Sequence, residues 1–71
     1  MNLLDMIPDH VAKGIARSDR WTDGDIWPLG NGFIACYDVE WNHFTIRNAK
    51  TKQTLGSVEL KLIVEKGLKV P

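Results

Sequence analysis

The residues of this chain that could do chemistry are a group of acids, two histidines, a single cysteine and a glycine-rich turn. Asp19, Asp23 and Asp25 flank Gly24 and invite a calcium-loop reading. A loop of the EF-hand type starting at Asp19 needs an oxygen ligand at its third position and a glutamate at its last. Trp21 and Gly30 stand at those positions, so the acids read as a solvated loop and no metal is expected. His10 and His43 are too few for zinc, which takes three or four protein ligands. Cys36 and His43 would make a nucleophile–base pair only if both faced the same side of a sheet. Cys36 lies in the apolar run Phe33–Tyr37, where a thiol reads as an inert core residue, and His43 is expected to face outward. Gly30-Asn31-Gly32 looks superficially like a phosphate cradle. Such cradles open a helix, whereas strand-forming residues follow here, so the turn is expected to close a hairpin.

Seventy-one residues make one small domain, too short to enclose a substrate pocket of the usual ~300 Å³ or more. No catalytic residue and no cofactor is expected. One cysteine excludes an internal disulfide. The opening residues lack a basic n-region, Asp5 and Pro8 interrupt any apolar stretch, and the longest apolar runs fall far short of the ~18 residues of a membrane helix. A soluble cytoplasmic protein without membrane association is the expectation.

These residues are positioned by three parts of the chain. Leu4, Ile7, Val11 and Ile15 recur at spacings of three and four, one stripe of a helix. Pro8 is tolerated at the first helical position, which sets the helix at about 8–18, with a separate short turn over 2–6. Residues 19–25 are polar and read as a loop. Strands follow at about 26–29, 33–38, 43–48 and 54–65. Pro28 confines the first to an edge or an end, and the apolar second reads as central. In the last strand Val58, Leu60, Leu62 and Val64 share a face, as do Phe44 and Ile46 in the strand before it. The two apolar sets align only across an odd loop. A three-residue loop, Lys50-Thr51-Lys52, satisfies this with Lys52 left-handed, and opposes Phe44 to Val58, His43 to Glu59 and Trp41 to Lys61. The fold expected is α+β: an N-terminal helix packed on a four-stranded antiparallel meander. A small SH3-like barrel with an N-terminal helix is the alternative.

Trp21 and Trp41 are twenty residues apart, a spacing similar to that of the WW module. The module's tyrosine pair and its proline after the second tryptophan are missing, and no family is assigned.

Two further patterns bear on function. Residues 1–46 carry seven acids against Lys13, Arg17 and Arg20, while residues 47–71 carry six bases against Glu59 and Glu65. A neutral total thus conceals two poles, if the halves stay apart in space. The expected register also gathers Trp41, His43, Thr45, Arg47 and Lys61 on the outward sheet face, joined by Tyr37 or Phe33. Tryptophan and arginine are enriched at protein-binding hot spots. The function expected is therefore a small non-catalytic protein-interaction module: an accessory subunit, adaptor or inhibitor of another protein, such as phages or mobile elements encode. The alternative is a single-stranded nucleic-acid binder using Trp41, His43, Arg47, Lys50, Lys52 and Lys61, because bases stack on aromatics set among cations. A third reading is homo-oligomerisation by pairing of the 54–65 strand with its copy.

Overall fold

The computed structural model describes residues 2–71. A 3₁₀ turn, Leu3–Met6, precedes helix α1, Asp9–Arg17. Pro8 separates them by holding Ile7 extended at φ −92°, ψ 109°. Its own carbonyl then accepts from the Val11 and Ala12 amides to start α1. Ile7, Val11 and Ile15 of the predicted stripe are buried and Leu4 packs against them.

Strands β1 (Ile26–Gly30), β2 (Phe33–Asp38), β3 (His43–Asn48) and β4 (Thr54–Glu59) form one antiparallel sheet in the order β1-β2-β3-β4. β1 and β4 are both edges, so the meander is open and the barrel alternative is set aside. Pro28 lies on the β1 edge, where a missing backbone donor costs nothing to a neighbour. Gly30, Asn31 and Gly32 all have positive φ (85°, 53° and 83°) and close the first hairpin.

Phe44 opposes Val58 and His43 opposes Glu59, as expected. The loop that sets this register is different. Ile46 pairs with Gly56 but Arg47 with Thr54, so Leu55 is an extra residue, a bulge. The Asn48 amide donates to the Gln53 carbonyl at 2.9 Å, which leaves a four-residue loop, 49–52. An even loop alone would turn the apolar set of β4 to the wrong face, and the bulge restores the parity. Lys52 is left-handed at φ 67°.

The long last strand is not formed. The chain leaves the sheet after Glu59 and residues Leu60–Leu68 make a second helix, α2. Leu60, Ile63 and Gly67 are buried, at the three-and-four spacing of a helix face. Gly67 sits directly against the Ala12 carbonyl and the Ala16 side chain of α1, so the two helices meet backbone to backbone. Both lie on one side of the sheet. Ala35, Tyr37, Phe44, Ile46 and Val58 point toward them and, with Ile7, Val11, Ala12, Ile15, Leu29, Leu60 and Ile63, make the core, against which the half-buried Trp27 packs. Tyr37 and Phe44 pack ring to ring at 5.1 Å. The architecture is two layers, helices over sheet.

Candidate functional site

Alternation along the strands leaves a second face with no helix on it. Reading the ladder across, one row is Ile26, Cys36, Thr45 and Ser57, with Asp38, His43 and Glu59 on one side of it and Pro28, Ile34, Arg47 and Thr54 on the other. The middle of this face is apolar or small: Ile34, Cys36 and Thr45 are half-buried, and Ile26 on the edge strand is 59% exposed.

One acid of the 19–25 loop, Asp23, borders this face. The Asp23 carboxylate accepts from the Val39 amide at 3.1 Å, and the Gly24 amide donates to the Tyr37 carbonyl at 2.9 Å, so the loop is stitched to β2. Asp25 is spent within the loop, accepting from the Thr22 amide at 3.0 Å. Among the described residues no group of three or more metal-ligating side chains comes together. Asp23, Asp38 and Arg47 rim an open hollow of about 420 Å³ whose lining includes Cys36 and Thr45. A second hollow, about 630 Å³, lies between the 3₁₀ turn and the first hairpin, and of the residues expected on the outward face its lining includes Phe33.

His43, Thr45 and Arg47 do share the uncovered face. The imidazole Nε2 lies 3.9 Å from the Asp38 carboxylate, and the Arg47 Nε donates to the Thr54 hydroxyl at 3.3 Å. Trp41 and Lys61 do not join them. Trp41 stands on the β2–β3 turn, 66% exposed, and Lys61 is on α2, because the chain turns from strand to helix at Glu59 before any partner for Trp41 is reached. Tyr37 and Phe33 face the helices instead, and the Tyr37 hydroxyl donates to the Asn42 side chain at 2.9 Å. Of the stacking rings expected on this face, the His43 imidazole remains.

Cys36 is a correction in the other direction. It lies half-buried on the uncovered face, not in the core, so it does share a side with His43. Across the ladder, however, Cys36 opposes Thr45, and the neighbour of His43 is the Asp38 carboxylate. His10 is on α1 in the other layer.

The face is electrically polar along the strands. Asp23, Asp38 and Glu59 lie toward the β2–β3 end, and Arg47 with the loop lysines Lys50 and Lys52 toward the β3–β4 end. This grouping differs from the division counted along the sequence, since Glu59 comes from the basic half of the chain and joins Asp23 and Asp38.

No helix among the described residues is long and apolar enough to cross a membrane. Comparison with protein-family models, with curated proteins and with solved structures finds no match.

Proposed function

We propose that the chain is a small non-catalytic protein-interaction module, an accessory subunit, adaptor or inhibitor, whose contact surface is the uncovered sheet face. The observation that supports this is the asymmetry of the two layers. Both helices cover one face, while the other leaves Ile26, Ile34 and Cys36 between charged ends. Interface centres are apolar and their rims are charged, and this surface has that distribution. Its site residues are His43, Thr45 and Arg47, flanked by Trp41 at the turn. Replacing Trp41 and Arg47 together by alanine should abolish capture of a protein partner and leave the circular-dichroism spectrum intact. Undiminished capture by the folded double variant would remove this face from consideration. Lys61, on α2, is outside the proposed surface and its substitution should leave capture unchanged.

A further inference from the structure

We infer that the partner seated on this face is a second copy of the chain, docked face to face with its strands reversed; the inference rests on the interaction-surface reading above. Its support is the charge pattern. Three acids, Asp23, Asp38 and Glu59, stand toward one end of the strands, and three bases, Arg47, Lys50 and Lys52, toward the other. A ligand that covers the whole face must carry both signs, separated by the same span and in the opposite order. The face itself, turned about a twofold axis running across the strands, has that order. Stacking with the strands in the same direction would set acid on acid and base on base.

The reversed arrangement is isologous, so each favourable contact occurs twice. Arg47 comes over the other copy's row of Asp38, His43 and Glu59, at the acidic end of the hollow whose opposite end that copy's own arginine rims, and the reciprocal arginine does the same. The row Ile26, Cys36, Thr45 lies along the axis against its own copy, and these apolar or small side chains form the dry centre. Two sheets stacked this way lie about 10 Å apart with their strands within about 30° of alignment, a common geometry for sheet pairs. A nucleic acid laid on the same face would meet Asp23, Asp38 and Glu59 with its phosphates. The chain's net charge of zero also removes the long-range repulsion that keeps many small domains apart.

Four strands spaced ~4.8 Å and about six residues long make a face of roughly 19 by 20 Å. That is small against the ~800 Å² per partner of a standard interface, so a dimer of micromolar or weaker affinity is expected.

Sedimentation equilibrium of the purified chain from micromolar to millimolar concentration tests this, with the rate of N-ethylmaleimide addition to Cys36 as a footprint of the face. The mass should rise from monomer to dimer, less readily in high salt, and alkylation should slow as dimer forms. Arg47→Glu should weaken association at least tenfold. Asp38→Asn should weaken it as well while keeping an oxygen for the Glu40 amide, so its effect reads separately from folding. The charge swap Arg47→Glu with Asp38→Lys should restore the dimer, because each copy then carries the exchanged signs. A chain that sediments as monomer at millimolar concentration, or a dimer indifferent to both single substitutions, overturns the inference. In the monomer case the footprint separates the two readings. Protection of Cys36 in a cell lysate keeps the interaction surface and rejects only the second copy, whereas equal reactivity in lysate and buffer rejects both.

Discussion

Lys66 illustrates how much a single side chain here depends on distant backbone. Its ammonium donates to the Leu4 carbonyl at 3.0 Å and the Ile7 carbonyl at 2.6 Å, residues 62 and 59 positions away. Those are carbonyls at the end of the 3₁₀ turn, where regular backbone donors run out. Lys66→Met keeps the apolar stem and removes the donor. Hydrogen bonds from charged groups contribute ~1.5–3 kcal/mol, and half-exposure places this pair lower, at about 1–2 kcal/mol in total. Since each kcal/mol moves Tm by about 4–8 °C in a domain of this size, thermal denaturation followed by circular dichroism should resolve the loss. An unchanged Tm would mean that water serves the two carbonyls as well as lysine does. Nothing near Lys66 in sequence marks this role, because its partners belong to the other end of the chain. Cys36 was illegible for a different reason. A strand apolar at every position has no alternation to read, and only the pairing of Tyr37 with Phe44 fixes which way its side chains point.

At the level of elements, α1, the first three strands and the Gly30–Gly32 turn were readable because each carried local punctuation: Pro8, Pro28, or residues tolerant of positive φ. Residues 60–65 read as strand in the sequence and fold as helix because two periods coexist in them. Val58, Leu60, Leu62 and Val64 alternate as in a strand, whereas Leu60, Ile63, Val64 and Gly67 follow a helical face. The available hints against a strand were its length, about twice the usual 5–6 residues, and its helix-favouring Leu, Lys and Glu content. What decides the matter is tertiary: α1 presents Ala12 and Ala16, and only a glycine-bearing helix can approach them so closely. Gly67→Ala gains at most ~1 kcal/mol in helix propensity, but its methyl group would press on the Ala12 backbone, which cannot step aside. A net loss of about 1–2 kcal/mol is expected in urea unfolding. Gly14→Ala is the control. There the methyl meets the half-buried Trp27 ring at 2.9 Å, a side chain and not backbone, so the loss should be smaller. Equal losses would mean that the helix pair tolerates a wider spacing.

Taken whole, the molecule is asymmetric in what it hides. One side of the sheet carries every large, fully buried side chain: Phe44 and Ile46 from the sheet, with Ile7, Ile15 and Ile63 packed against them. The other side carries the segregated charges. The fold class was legible from the alternation of β3 and β4 and the stripe of α1. The polarity of the open face was not, because it arises from residues 23, 38 and 59 converging at one end of the sheet while 47, 50 and 52 gather at the other.

The contact between the two ends of the chain has a consequence for connectivity. Lys66 holds residues 4 and 7, and the Lys13 ammonium donates to the Pro71 carbonyl at 2.7 Å, so the beginning and the end of the described chain lie in one layer, side by side. Linear order is then an accident of where the ring of packing was cut. A circular permutant that joins the ends through a short flexible linker and opens in the exposed 49–52 loop should reach the same fold, with the same far-ultraviolet spectrum and a cooperative melt. In that permutant β3 and β4 would no longer be joined by a turn, and their bulged register would rest on cross-strand packing alone.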